Sequence, residues 1–169
     1  MLLGSIAAAG SALGVLTVYG QLLLPAEIGS LANSSESWSL AAFLLARRAG
    51  RPLLAAACGA IALFGLLVGY VVGADVRGFP SSMSLIVFWG IAALSAGPAL
   101  GLAARWVESG HRVRMAFGAA AMSGVVVGEG AWALSNVAGT TDARYWWGQI
   151  VVGAAVLGWV RCGGCGASD

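Results

Sequence analysis

The chain has 169 residues, of which 59% are hydrophobic and 9% are charged, whereas charged residues make up about a quarter of an ordinary soluble domain. All nine basic residues are arginine and the net charge is only +2. No basic cluster with interleaved aromatic residues is present in the sequence, so nucleic acid is excluded as an expected partner. This composition is typical of an integral membrane protein whose main partner is the lipid bilayer.

Apolar runs divide the chain into six predicted transmembrane helices, each near the roughly 20 residues that a helix needs to cross a bilayer. We expect a polytopic all-α protein with a single transmembrane bundle over residues 1–161, followed by a short cytoplasmic tail, 162–169. The first run has no basic segment before it and no clear cleavage site, so we expect a retained helix rather than a signal peptide. The predicted spans are 2–24, 28–46, 52–74, 84–104, 115–137 and 146–160.

The second predicted span has two interpretations. As one helix, the 19 residues of segment 28–46 would reach about 28 Å, which is close to the thickness of a bilayer core. We favour this full crossing, and a re-entrant segment is the alternative. The choice changes only the side of the membrane on which the N-terminus lies.

The arginines predict the orientation of the bundle. Seven of the nine follow the second, fourth or last span, and only Arg77 and Arg144 lie on the opposite side. Cytoplasmic loops of membrane proteins carry the excess of arginine and lysine. We therefore expect a multi-pass protein of a bacterial cytoplasmic (inner) membrane, with both termini in the cytoplasm.

A weak internal repeat joins positions that are 51 residues apart. It suggests three helical hairpins of one design, and chance matching in a chain rich in Ala, Gly and Leu is the alternative. The matched pairs include Gly14 with Gly65, Tyr19 with Tyr70, and Trp38 with Trp89.

Two carboxylates inside predicted spans are candidates for ligand binding. Glu36 in the second span and Glu129 in the fifth both lie about eight residues from the outer boundary, so they could meet in one layer. A charged side chain at such a depth is costly and is therefore usually functional or paired. Helical spacing places Trp132 and Asn136 on the same face as Glu129, and Asn33 on the face of Glu36.

Aromatic side chains accompany these carboxylates in the outer half of the predicted bundle. The face of an aromatic ring attracts a cation by about 0.5–2 kcal/mol per ring, so aromatic residues near the glutamates favour a cationic ligand. Trp146 and Trp147 have another interpretation, as part of an interfacial aromatic belt. The leading hypothesis is a transporter-like protein that binds or transports a small cationic solute from the outer face. The predicted ligand-binding residues are Glu129, Glu36, Trp132, Asn33, Asn136 and Trp89.

Packing contacts explain the same glutamates without any ligand. Polar side chains also join membrane helices, so Glu129 could bond to Asn33 and the protein could be a structural or assembly subunit. A third alternative is a path for proton or cation leakage along the glutamate layer. At 17.0 kDa, we expect the chain to form a homo-oligomer or to bind a membrane partner subunit.

No sequence motif supports an enzyme, and no cofactor is expected. The single histidine, His111, lies outside the predicted spans, and the sequence contains neither a GxxxxGK[ST] loop nor an HExxH helix. The tail carries the pair Cys162-Gly-Gly-Cys165. Because a structural zinc site takes four ligands, this pair could bind a metal only with ligands from another chain.

Two stretches carry a resemblance to known families. Residues Leu31 to Phe43, together with Gly128-Glu129-Gly130-Ala131-Trp132, resemble a family of small six-helix membrane proteins of unassigned function from high-GC Gram-positive bacteria. The resemblance covers nearly the whole chain, implies the membrane class and brings no catalytic residues with it.

A looser resemblance is to the S components of energy-coupling-factor vitamin transporters, which have six helices, internal termini and an outward-facing pocket. In that family an A-x-x-x-A pattern on the first helix docks the transmembrane coupling subunit. Ala8 and Ala12 match this pattern, so the resemblance implies a partner on the first helix.

Overall fold

The computed structural model describes residues 1–25, 28–137 and 141–163, including all of their side chains except those of Asn33 and residues 159–163. Over this part of the chain the protein is all-α, as predicted, with six α-helices and one short 3-10 helix, Gly29–Asn33. The α-helices are α1 Leu2–Leu23, α2 Ser35–Ala46, α3 Pro52–Val76, α4 Met83–Val107, α5 Arg112–Asn136 and α6 Ala143–Gly163.

Short local signals set the ends of the long helices. Pro52 begins α3, where the missing N–H of proline would have no helical partner. The hydroxyl of Ser82 accepts the N–H of Leu85 at 3.3 Å and starts α4. Gly78 and Gly110, which follow α3 and α4, have φ angles of 77° and 67°, in the left-handed region that glycine adopts at helix ends.

Four helices, α1, α3, α4 and α5, are long and apolar enough to cross a membrane by length and composition. The outer surface of the bundle is apolar as well: on α4, Phe88, Ile91 and Leu94 are 62–63% exposed. Soluble monomers rarely expose large contiguous apolar patches. The fold therefore agrees with a membrane protein.

The helices alternate in direction along the chain. Gly10 of α1 packs against Gly65 of α3, and Arg77, just after α3, donates to the backbone oxygen of Val18 near the end of α1 at 3.0 Å. Helices α1 and α3 are thus parallel, so the segment between them must return from one end of the bundle to the other. Helices α3 to α6 follow as antiparallel neighbours, which brings the start of α1 and the end of α6 to the same end.

The prediction of one continuous helix over 28–46 is wrong. The 3-10 helix ends before Ser34, whose backbone is extended, and α2 contains only 12 residues, which is about 18 Å. The Ser34 hydroxyl accepts the N–H of Ser37 at 3.3 Å and so starts a new helix. Serine and asparagine side chains compete with helical hydrogen bonds, and three of them, at 33–35, stand at this point.

Glycines let the central helices pack backbone against backbone. A methyl group on Gly14 would overlap the carbonyl oxygen of Leu66, and one on Gly59 would overlap that of Gly97. Small residues permit such close approach between membrane helices. Helix α2 packs across α3, α4 and α5, and the core between them includes Trp38, Ala42, Phe43, Cys58, Leu66 and Leu100.

The predicted repeat of three hairpins does not extend to the first pair of helices. Helices α3 and α4 pack closely, as do α5 and α6, but α1 packs mainly on α3 and touches α2 only slightly. The glycine face of α1, with Gly10 and Gly14, is directed at α3. Helix α2 instead packs across α3, α4 and α5.

Candidate functional site

Glu129 of α5 binds the N-terminus of α2. Its Oε1 accepts the backbone N–H of Ser35 at 2.6 Å, and its Oε2 accepts that of Glu36 at 2.7 Å. The first N–H groups of a helix have no partner inside the helix, and a carboxylate there also interacts favourably with the helix dipole. Gln149 of α6 donates a third hydrogen bond to Oε2 at 3.2 Å. Glu129 therefore joins α2, α5 and α6.

Glu36 lies in the same layer, but its carboxylate is only partly satisfied. The hydroxyl of Tyr145 is 3.4 Å from Glu36 Oε1 and 3.4 Å from Ser34 Oγ. The second oxygen, Glu36 Oε2, is buried without a hydrogen-bond partner among the described residues. Burying a polar group without a hydrogen-bond partner is unfavourable, because the lost hydration is not offset by a new hydrogen bond.

A cavity of about 460 Å³ lies beside Glu36, between α2, α5 and α6. Ser123 and Gln149 also line it, and they are only 2% and 5% exposed. Both Ser123 Oγ and Gln149 Oε1 lack a hydrogen-bond partner within the described part of the chain. Three of the four buried side-chain polar atoms without a partner in that part thus belong to residues around one cavity.

Glu36, Tyr145 and Gln149 make one part of the cavity wall polar, and most of the rest is apolar. Its lining extends along α6 from Arg144 to Val156, a distance of about 18 Å. Arg144 has a 91% exposed side chain at the outer rim and is paired with Asp142 at 3.4 Å. The apolar part is formed by Leu40, Met122, Val126, Val152 and Val156.

Trp89, one of the predicted ligand residues, lies in a separate cluster. Its ring centroid is 5.8 Å from that of Trp38, which in turn is 5.7 Å from that of Tyr70. These rings meet another face of α2, where Ser35, Trp38 and Ser39 line a second cavity of about 230 Å³. The structure therefore places Trp89 apart from the cavity beside Glu36.

Trp132 and Asn136 also lie outside the lining of the larger cavity. Trp132 is 61% exposed, and Asn136 donates its side-chain N–H to the Trp132 backbone oxygen at 2.7 Å. Trp132 lies about 60° around the helix from Glu129, and both Trp132 and Asn136 are exposed. Of the five predicted residues whose side chains are described, Glu36 and Glu129 meet at the start of α2, and Trp89, Trp132 and Asn136 lie outside the lining of the larger cavity.

Three of the residues predicted to bind a ligand or a metal lie wholly or partly outside the described part of the chain. The backbone of Asn33 ends the 3-10 helix, but its side chain is outside the described residues, as are the side chain of Cys162 and the whole of Cys165. In the described part, no group of three His, Cys, Asp or Glu side chains could hold a metal ion.

Trp146 and Trp147 differ in their surroundings. Trp147 is 59% exposed, which agrees with the predicted interfacial belt. Trp146 is only 5% exposed, and its Nε1 donates to the hydroxyl of Thr141 at 2.7 Å. The belt prediction is therefore wrong for Trp146, which packs inside the bundle.

Three residues around the larger cavity are not among those predicted from the sequence: Ser123, Tyr145 and Gln149. A signal for two of them was present: Tyr145 and Gln149 are four residues apart, so a helix presents them on one face. Gln149 is also an uncharged polar residue inside an otherwise apolar predicted span. Such a residue needs a partner in the bundle as much as a glutamate does.

Comparison with known proteins gives one match. No curated protein and no solved structure matches the chain. Residues 1–166 match the model of the Family of unknown function (DUF6518). Because this match includes Glu36, Glu129 and Gln149 and covers nearly all 169 residues, the chain belongs to this family of unknown function.

Proposed function

We propose that this protein is a membrane protein that binds a small amphipathic molecule with a positively charged, hydrogen-bond-donating head. The site is the cavity between α2, α5 and α6. One observation carries the proposal: Glu36 Oε2, Ser123 Oγ and Gln149 Oε1 are buried without partners, and all three residues line this cavity.

The free atoms favour a ligand that donates hydrogen bonds. A carboxylate oxygen and an amide oxygen only accept, and a hydroxyl can do either. A primary ammonium or a guanidinium offers several N–H groups, so it can satisfy Glu36 and Gln149 together. The nearest cation in the lining, Arg144, is exposed and paired with Asp142, which leaves the Glu36 carboxylate to attract the ligand.

The rest of the lining favours an apolar body on the same ligand. Its volume of about 460 Å³ falls within the roughly 300–1,000 Å³ of small-molecule sites. Leu40, Val152 and Val156 are 42–61% exposed, so this apolar side opens toward the outer surface of the helices. An amphiphile could enter laterally from a bilayer and leave its head at Glu36.

The membrane setting is part of the same proposal. With the arginine-rich loops in the cytoplasm, α6 begins at the outer face of a bacterial inner membrane and both chain ends lie inside. The segment 29–46 then crosses by combining the 3-10 helix with α2. The polar part of the cavity wall, at Tyr145 and Gln149, faces outward, as the hypothesis of a cationic solute from outside requires.

Thermal unfolding in a maltoside detergent tests the proposal with two matched probes. Decylamine carries N–H donors and a charge, whereas decyltrimethylammonium has the same charge and chain length without N–H groups. A ligand that binds only the native state at 100 times its Kd stabilises it by about 2.7 kcal/mol. We expect decylamine to raise the melting temperature more than decyltrimethylammonium.

The variant Glu36→Gln removes the charge, and Glu108→Gln is its control. Glu108 pairs with Arg47 at 2.7 Å on the exposed surface, away from the cavity lining. We expect the decylamine effect to fall in Glu36→Gln and to persist in Glu108→Gln, since general detergent effects act on both. Equal shifts in all three proteins, or no shift in any, would contradict the proposed site.

A structural or assembly subunit is the second candidate, and two observations favour it. Both oxygens of Glu129 are used in bonds to α2 and α6, so this glutamate serves packing. Ala8 and Ala12 lie on an exposed face of α1, where another membrane helix could pack closely. The mass of the protein–detergent complex, before and after Ala8→Leu with Ala12→Leu, tests this candidate: a fall to the monomer mass supports it.

A further inference from the structure

The second cavity, of about 230 Å³, is not used by the proposed function. It lies between α2, α3, α4 and α5, and its lining contains no charged side chain among the described residues. Six of the residues around it are Trp38, Ser39, Leu63, Trp89, Ala93 and Val125.

Trp38, which lines this cavity, carries an unused hydrogen-bond donor. It is 8% exposed, and its Nε1 is buried without a hydrogen-bond partner in the described part of the chain. An indole N–H can only donate, and buried tryptophans usually find an acceptor for it. At the other cavity, Glu36 Oε2 and Gln149 Oε1 are unpartnered atoms that only accept, so the two cavities favour ligands of different hydrogen-bonding character.

The walls of this cavity suit a flat, apolar body. The rings of Trp38 and Trp89 are 5.8 Å apart with an interplanar angle of 42°, and alanines of α4 also line the cavity. Aromatic rings prefer offset or edge-on contacts at such distances. An apolar cavity of about 150 Å³ takes up one benzene ring, so about 230 Å³ is enough for one or two fused rings.

We propose that this cavity binds a neutral aromatic molecule bearing a carbonyl oxygen, which accepts the hydrogen bond of Trp38 Nε1–H while its ring packs against Trp89. Neutrality follows from the uncharged lining, and the carbonyl follows from the unpartnered donor. This site does not depend on the amphiphile site, because no atom of Glu36, Ser123 or Gln149 takes part in it.

Two probes of similar shape test the proposal: 1-indanone has two fused rings and a carbonyl, and indane has the same rings without it. The indole N–H resonances of the ¹⁵N-labelled protein in detergent report on each tryptophan, and the resonance lost in Trp38→Phe identifies Trp38. We expect 1-indanone to move the Trp38 resonance downfield in a saturable manner. Indane should leave it in place.

Exposed tryptophans and a filled cavity supply the controls. Trp132 and Trp147, 61% and 59% exposed, report partition of the probes into detergent. The variant Ala92→Leu fills the cavity and should abolish the Trp38 shift, whereas Ala99→Leu on the exposed face of the same helix should retain it. Equal shifts with indane, an unmoved Trp38 resonance, or an unchanged shift in Ala92→Leu would each overturn the proposal.

Discussion

The carboxylate of Glu129 accepts the backbone N–H of Glu36 at 2.7 Å, although the two residues are 93 positions apart in the chain. Together with its bond to Ser35, this contact caps α2 from a different helix. A helix of 12 residues is marginal by itself, and its hydrogen bonds to α5 fix its position. The cavity beside Glu36 depends on that position.

Replacing Glu129 by glutamine should destabilise the protein. Glutamine has one accepting oxygen, so it cannot serve the N–H groups of both Ser35 and Glu36, and its N–H₂ group would face a donor. An unsatisfied buried donor costs about 1–3 kcal/mol. We expect the free energy of unfolding in mild detergent to fall by about this amount.

The control for this change is Glu108→Gln. Glu108 forms an exposed ion pair with Arg47, and such pairs contribute about 0–1 kcal/mol. The role of Glu129 as a cap is refuted if the two variants unfold alike.

Gln149→Met should separate ligand binding from stability. The change loses the 3.2 Å bond to Glu129, but it also removes the unpartnered Gln149 Oε1, so the two effects oppose each other. We expect the free energy of unfolding to change by less than about 1 kcal/mol and the stabilisation by decylamine to decrease. Gln21→Met, on the exposed side of α1, is the matched control, and an equal decrease there would count against a role for Gln149.

Gly101→Ala should disturb the contact of α3 with α4. The added methyl group would overlap the backbone carbonyl of Ala55, and overpacking of this kind costs about 1–3 kcal/mol. Gly124→Ala on α5 meets no atom within 4 Å, so it should be neutral or stabilise the helix by about 0.5–1 kcal/mol. Melting temperatures of the two variants should move in opposite directions or differ by several degrees, and matching values would exclude close backbone contact at Gly101.

Ser34→Ala should weaken the start of α2. Its hydroxyl accepts the N–H of Ser37, and the residue is 2% exposed. Loss of an N-cap costs about 1 kcal/mol, and burial leaves no water to replace it. Ser82→Ala removes the corresponding cap of α4 at an exposed site, where water can bind the freed N–H. We expect a larger fall in unfolding free energy for Ser34→Ala, and the reverse order would contradict the buried cap.

The long helices are the part of the fold that the sequence predicts well. Predicted spans 2–24, 52–74, 84–104 and 115–137 correspond to α1, α3, α4 and α5, with ends that differ by at most three residues. An apolar run long enough to cross a bilayer leaves few alternatives to a helix, because every backbone group must find its partner inside the run. The shorter prediction 146–160 falls within α6, which extends further at both ends.

The partners of the glutamates are the part that the sequence predicts only in outline. The common layer of Glu36 and Glu129 follows from their depth, and the structure confirms that they meet. Their partners do not follow: Glu129 binds the backbone N–H groups of Ser35 and Glu36, and the side chain of Asn33, the proposed partner, lies outside the described residues. Backbone groups have no signature in sequence, and they become available here only because Ser34 starts a new helix.

The sequence by itself determined an all-α chain with apolar helices, since composition and the spacing of arginines depend on no distant contact. Only the tertiary structure decided which faces meet. Glycines at the crossings allow the helices to approach closely. Helix α2 packs across α3, α4 and α5, and a cavity lined by Glu36 and Gln149 remains between α2, α5 and α6. Rotation of a helix about its axis moves a residue from the outer surface of the bundle to its interior with little change in the apolar area that is buried, so a uniformly apolar sequence does not specify that rotation.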